Sequence, residues 1–140
     1  MSENKKYKLE KQIGYLLRLA YQRHSVIFQH HTLLDLTPTQ FSALVRINEE
    51  QSCSQNLLGR KISVDVATIK GVVDRLYKRG LIDLKPDPED KRRTLITLKP
   101  KTKNMMNELH AAGEKISDET LRQLTASEQE RLLQLLSKIS

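Results

Sequence analysis

Lys91, Arg92 and Arg93 stand in a row directly after Asp90, in a segment broken by Pro86 and Pro88. A charged run between prolines cannot be core, so it projects into solvent as a turn. Such cations bind anions. An ammonium meets a phosphate as a point charge, and a guanidinium grips one with paired N–H donors. A narrow projection carrying Arg also suits the minor groove of DNA, where the potential is most negative over A·T-rich sequence. Asp90, two residues before Arg92, is placed to hold its guanidinium. The surplus of charge is local. Residues 52–103 carry 13 Lys and Arg against 6 Asp and Glu, whereas the rest of the chain carries 11 of each sign. A neutral frame with one basic module is the electrostatic footprint of a DNA-binding protein.

The elements around those cations are readable. Ser54 can cap a short helix that carries Leu57 and Leu58 and ends near Lys61. Asp65 caps the next helix, with its carboxylate at the positive end. Ile69, Val72, Val73 and Leu76 follow the i, i+3, i+4, i+7 pattern of a buried face. Gly80 stops this helix after Lys78 and Arg79. Two short helices joined by Ile62-Ser63-Val64 form a helix-turn-helix. The face opposite the apolar stripe holds Ala67, Gly71, Asp74 and Lys78, flanked by Thr68, Lys70 and Arg75. Small residues at 67 and 71 let the backbone come close to a groove floor. Gly71 costs about 1 kcal/mol of helix stability relative to Ala; close packing on a neighbouring helix is the competing reason to tolerate it. Lys70 can donate to guanine O6/N7 or to a phosphate, and Thr68 can touch a base edge or a phosphate. Asp74 would repel a phosphate and is expected to pair with a nearby Arg. Residues 81–85 and 94–98 have strand composition on either side of the charged tip, which makes them the wing of a winged helix.

Outside this module the pattern is helical. Residues 5–32 read as one long helix, with Leu9, Ile13, Leu16, Leu17, Ala20, His24, Ile27, Phe28 and His31 along one side. That stripe is expected to face the core. Thr37, Pro38 and Gln40 form a strong helix start, with Leu36 and Phe41 at the staple positions. This helix should run to about Asn48 and bury Phe41, Leu44, Val45 and Ile47, leaving 49–52 as a loop. A further helix is expected over 102–124. Thr125 and Glu128 then open a last one carrying Leu132, Leu133, Leu135, Leu136 and Ile139. That leucine density exceeds what a peripheral helix needs. It reads as a partner surface for the first helix of a second subunit, with packing inside one subunit as the alternative. The fold class is mainly α with a small β-hairpin wing.

The bulk properties agree. A chain of 140 residues fits a single domain. The one cysteine, Cys53, rules out an internal disulfide and a cysteine-based zinc site. It has no second cysteine to resolve an oxidised form, so an inert thiol is expected rather than a redox sensor. The N-terminus lacks the apolar core of a signal peptide, and no stretch reaches the roughly 20 apolar residues that span a bilayer. A cytoplasmic, nucleoid-associated protein is expected, with no membrane partner. The four histidines form no H-E-x-x-H pair, and no nucleophile elbow, phosphate loop or dinucleotide fingerprint is present. Neither an enzyme nor a cofactor is expected.

The run VVDRLYKRGLIDLKPDPEDKRRTLITLK resembles the MarR family (multiple antibiotic resistance regulators). The family's Asp-Arg-Leu, Gly-Leu and D-x-R wing stand here as Asp74-Arg75-Leu76, Gly80-Leu81 and Asp90-Lys91-Arg92, with Ile96 and Leu98 behind them. The likeness extends over nearly the whole chain. Lys99 replaces a usual Thr. Gly71 stands where many members carry a contacting Arg, which shifts readout onto Lys70 and the wing. The resemblance implies a homodimer on a pseudo-palindromic double-stranded operator, with residues 1–35 and 102–140 as the dimerisation hub and 37–99 as the DNA-binding lobe of one MarR-type domain. It implies DNA contacts from Ser54, Asp65, Ala67, Thr68, Lys70, Gly71, Arg75, Lys91, Arg92 and Arg93. It implies a repressor released by a small phenolic or aromatic acid, the likeness being nearest to regulators of aromatic-acid catabolism. In such folds the ligand cleft draws on the first, second and fifth helices, where Tyr15, Arg18, Tyr21, His24, Phe28, His31, Phe41 and Arg46 are available. The rival functions are a ligand-independent DNA-binding regulator or architectural protein, and a thiol sensor through Cys53.

Overall fold

The computed structural model describes residues 6–140. The first expected helix begins later than its periodicity indicates. A short 3-10 turn, Leu9–Lys11, precedes α1 (Ile13–His31). The reason is local: Gln12 is extended, and its side-chain oxygen accepts from the Tyr15 amide, so the true helix starts after it. The part of the long-helix expectation that falls on residues 1–5 lies outside the described residues. There follow α2 (Pro38–Glu50), β1 (Cys53–Ser54), α3 (Gln55–Lys61), α4 (Val66–Lys78), β2 (Ile82–Pro86), β3 (Thr94–Leu98), α5 (Pro100–Asn104), α6 (Met106–Thr120) and α7 (Ala126–Ile139).

The chain forms two compact units. One is Thr32–Gly113; the other joins Met1–His31 to Glu114–Ser140. The first has a continuous apolar core. Leu44 and Ile47 of α2, Leu58 of α3, Ile69 and Leu76 of α4, Ile82 of β2, Ile96 of β3 and Leu109 of α6 are all fully buried in it. Each such aliphatic side chain stabilises the lobe by roughly 1.5–3 kcal/mol. Phe41 and Val45 are half-buried and pack against this core rather than inside it. Gly113 makes room for Phe41: a Cβ there would lie 3.0 Å from the ring tip.

The expected hairpin is part of a three-stranded antiparallel sheet in the order β1-β3-β2. Ile96 of β3 stands between Cys53 and Leu84 in register. The α4 helix ends as its sequence indicates. Gly80 is left-handed at φ +70°, and Leu81 N–H reaches back to the Leu76 carbonyl at 3.0 Å. Lys99 pairs with Asp83 across the strand ends at 2.9 Å, and Thr102 donates to the Leu81 carbonyl at 2.8 Å from a fully buried position. Helix formation therefore begins at Pro100, ahead of the expected residue 102. A one-residue break at Met105 separates α5 from α6. The end of α6 at Thr120 also precedes the expected residue 124, because residues 121–124 turn back on i→i+3 bonds.

In the second unit the α1 stripe does not face a core. Ile27 and Phe28 are buried, but Leu9, Ile13, Leu16 and Leu17 are exposed. On α7 no residue is buried, and Leu133, Leu135 and Ile139 are open. The Thr125–Glu128 capping box is formed in both directions. Among the described residues no helix is long and apolar enough to cross a membrane, and no group of side chains could hold a metal ion.

Candidate nucleic-acid interface

Three local devices fix the helix-turn-helix. The Ser54 hydroxyl accepts from Leu57 N–H at 3.2 Å and starts α3. The Asp65 carboxylate accepts from Thr68 N–H at 2.7 Å and starts α4. That bond to Thr68 holds the Asp65 carboxyl below the usual carboxylate range. Gly59 of α3 lies so near Ile69 that a Cβ would stand 3.2 Å from its methyl, and this lets the two helices approach. Ile69, Val72, Val73 and Leu76 face inward, as the periodicity indicates. Ala67, Thr68, Lys70 and Arg75 are exposed, and Gly71 is half-exposed on the same side. No ion pair or side-chain hydrogen bond engages Lys70, Arg75 or Lys78 among the described residues. Asp74, expected to pair with an Arg, is exposed and pairs with none among the described residues. Its exposed carboxylate is hydrated, and an ion pair at the surface would add little.

Gly71 answers a question left open by the sequence. Nothing lies within 4 Å of a Cβ built there. Packing on a neighbouring helix is therefore not its reason. The space beside it is a groove of about 510 Å³, lined by Thr37, Thr39 and Gln40 from the start of α2 and by Ala67, Thr68, Gly71, Val72 and Arg75 from α4. A second groove of about 580 Å³ runs between α3 and the wing. Ser54, Asn56 and Arg60 line one side, and Asp90, Arg92 and Arg93 the other. Thr39, Asn56 and Arg60 were not singled out in the sequence. Arg60 was only a member of the basic tally, because the wing reaches it through space and not through spacing.

The wing tip is ordered by its own backbone. Asp87 N–H meets the Arg93 carbonyl at 2.9 Å, and Arg93 N–H meets the Asp90 carbonyl at 2.9 Å. Asp90 receives Arg92 N–H at 3.1 Å and lies 3.9 Å from the Arg92 guanidinium. Lys91, Arg92 and Arg93 are exposed.

Residues 36–94 match the MarR family. The transcriptional repressor NicR of Pseudomonas putida is 36% identical over 98% of this chain and 87% of its own. The chain belongs to the MarR family. Members are transcriptional regulators, not enzymes. Among solved MarR-type structures, a probable transcriptional regulator from Pseudomonas aeruginosa is 46% identical with TM-score 0.90, covering 95% of this chain and all of that one. BpsR of Bordetella bronchiseptica, whose DNA binding is regulated by 6-hydroxynicotinic acid, is 35% identical with TM-score 0.88 over 95% and 96%. A mutant MarR of E. coli in complex with operator DNA is 28% identical with TM-score 0.81 over 91% and 92%.

The residues expected at a MarR-type ligand site divide between the two units. On α1 the Arg18 guanidinium lies 5.5 Å from the Tyr15 ring centre. Tyr21, His24 and Phe28 follow along the helix with ring centres 6.1 and 6.4 Å apart. His24 Nδ1 meets the Thr120 hydroxyl at 2.9 Å, and Arg23 donates to the Thr120 and Glu119 carbonyls at 2.7 and 3.0 Å. His31 pairs with Glu119, whose carboxyl is held below its usual range chiefly by that bond. Phe28 is buried, whereas Tyr21 and Arg18 are exposed. Phe41 and Arg46 belong to the other unit. There Arg46 is occupied by Glu49 at 2.7 Å.

Cys53 follows the 51–52 bend and directly precedes the Ser54 cap of α3. It is a buried strand residue, 2% exposed, paired with Ile96. Burial, with the Glu50 charge as a smaller cause, pushes its thiol up to about 11. A reactive thiol has the opposite shift, so the redox-sensor alternative has no support here.

Proposed function

We propose that this chain is a homodimeric repressor that binds a pseudo-palindromic operator through α4 and the wing and is released by a small aromatic acid. One observation carries the DNA reading. The exposed face of α4 and the wing tip present Lys70, Arg75, Lys91 and Arg93 without an internal partner among the described residues, all from one compact unit. Unpaired cations gathered on one lobe, in a chain otherwise neutral, suit an external polyanion. Ala67 and Gly71 keep the centre of α4 low, so its backbone can sit deep in the major groove with Thr68 and Lys70 at base edges. Arg92, its backbone amide held by Asp90 and its guanidinium open to solvent, then enters the adjoining minor groove. Ser54 and Asp65 serve first as helix caps, and their contribution to binding is to present α3 and α4. Two such lobes would read half-sites about 34–36 Å apart.

Dimerisation is supported by the exposed apolar residues of α1 and α7. The effector class is supported by the regulation of BpsR by 6-hydroxynicotinic acid and by Arg18. That exposed guanidinium beside a Tyr15 ring suits a flat carboxylate. Release by a factor of about 100 needs a preference of roughly 2.7 kcal/mol for the non-binding conformation, which a few contacts supply. The test uses a duplex selected by the protein from a randomised pool. Benzoate, hydroxycinnamate and 6-hydroxynicotinate are titrated by calorimetry and against the complex. At least one is expected to give heat and release DNA, and Arg18→Ala to abolish release while DNA affinity stays. A panel with neither heat nor release rejects the effector reading; no salt-sensitive duplex binding rejects the whole.

A further inference from the structure

Arg79, the residue that ends α4, differs from the other cations of that helix. It is exposed, yet its guanidinium is engaged by the protein's own oxygens. One terminal nitrogen donates to the Leu34 carbonyl, and the other meets Gln40 Oε1 at 3.5 Å. Both acceptors belong to the segment by which the chain enters the lobe. Leu34 and Asp35 are two successive non-glycine residues in the left-handed region, at φ 58° and 51°. Each carries a Cβ that disfavours this conformation, so the turn persists only where its surroundings determine it. The bonds within the turn are few: Leu36 N–H donates to the Leu33 carbonyl at 3.2 Å, and the Thr32 hydroxyl lies 3.2 Å from the Leu36 carbonyl and 3.4 Å from that of Leu33. Gln40 is 7% exposed, and its Oε1 also accepts from Thr37 N–H at 3.0 Å as part of the α2 cap. Arg79 thus fastens the end of α4 to a strained turn and to the first turn of α2 at once.

We infer that Arg79 is a positioning residue for sequence readout: it fixes the angle at which α4 is presented by tying its C-terminal end to the left-handed turn that follows α1. The inference rests on the DNA-binding reading above. The other end of α4 is held by the Asp65 cap and the Gly59–Ile69 approach. Lys70 lies about 14 Å along the axis from Arg79, so a small swing at the anchored end displaces the base-facing residues. Phosphate contacts tolerate such a swing, because flexible cations follow the backbone. Bidentate base contacts do not. Arg79 therefore governs discrimination between sequences more than the strength of attachment. The same bond also gives a change in the α1–α2 turn a direct route to the recognition helix.

The measurement compares affinity for the duplex selected by the wild-type protein with affinity for a scrambled duplex, each across a salt series. The wild type is run first, and absence of duplex binding there would sink the DNA-binding reading and not this one. For Arg79→Ala the ratio of the two affinities is expected to fall about tenfold. Scrambled-duplex affinity and the salt slope should remain those of the wild type. Arg79→Lys keeps the charge but lacks the planar fork that sends a separate nitrogen to each oxygen, and its ratio should lie between the two. An unchanged ratio overturns the inference. So does a slope shallower by about one, which marks a direct phosphate contact. Loss of the folded state in both variants overturns it as well, since Arg79 would then be a stability residue.

Discussion

A single missing side chain makes the sharpest test at the residue scale. Gly71 is helical, and the position of its absent Cβ meets nothing within 4 Å. Gly71→Ala should therefore raise the stability of the isolated protein by up to about 1 kcal/mol, through helix propensity alone. If α4 needs close approach to the groove floor, the same change weakens operator binding. Thermal denaturation and fluorescence anisotropy on the same sample decide the matter: a variant more stable and equally tight removes the close-approach argument. Cys53 supplies a pH prediction. Its thiol is raised from the ordinary 9.0 to about 11. The folded state thus holds this proton more tightly than the unfolded one. The resulting stability is complete below pH 9 and is lost as pH rises through 11, up to about 3 kcal/mol. Native alkylation by iodoacetamide at pH 8 should be slow and become fast on unfolding. Rapid native labelling would contradict this.

At the scale of elements, the wing is a charged loop made rigid, and Arg92 is its free end. Arg92→Ala should weaken binding to selected and scrambled duplexes alike, and lower the slope of log affinity against log salt by about one. An unaltered slope would place the wing away from the phosphates and grooves. What the sequence disclosed is clearest here. Both capping boxes, the α4 stripe and the Gly80 stop follow from short-range chemistry, and each stands where its residues indicate. The β1 strand was invisible because two residues carry no alternation, and only its pairing with β3 makes it a strand. The late start of α1 was masked by a hydrophobic period that runs on through a segment whose Gln12 side chain caps the helix instead. The α3–wing groove escaped because Arg60 and Arg93 are far apart in the chain. Gly71 could be narrowed only to two explanations until the space around it was seen.

At the scale of the whole molecule, the exposed apolar residues along α1 and α7 are the surface that the proposed dimer would bury. Periodicity alone assigned the α1 stripe to a core. Within one chain much of it is exposed, since this small lobe already encloses its own core without those residues. Leu133 is 55% exposed, so Leu133→Asp should leave the fold intact. Sedimentation velocity is expected to report a dimer for the wild type and a shift toward monomer for the variant. Affinity for a duplex with two half-sites should drop about a hundredfold as the benefit of joint attachment disappears, while affinity for a single half-site stays level. A monomeric wild type would remove the two-lobed account of binding.

The dipeptide Cys53–Ser54 does two jobs at once: it pairs with β3 at the foot of the wing, and its serine opens α3. The wing is consequently no independent arm but a spur welded to the frame that carries the reading helix. On the proposed mode of DNA binding, the offset between what α4 would touch and what the arginine tip would touch is then constant. A binding site lengthened or shortened by one base pair between those two points should be refused, even when every contacted base is retained.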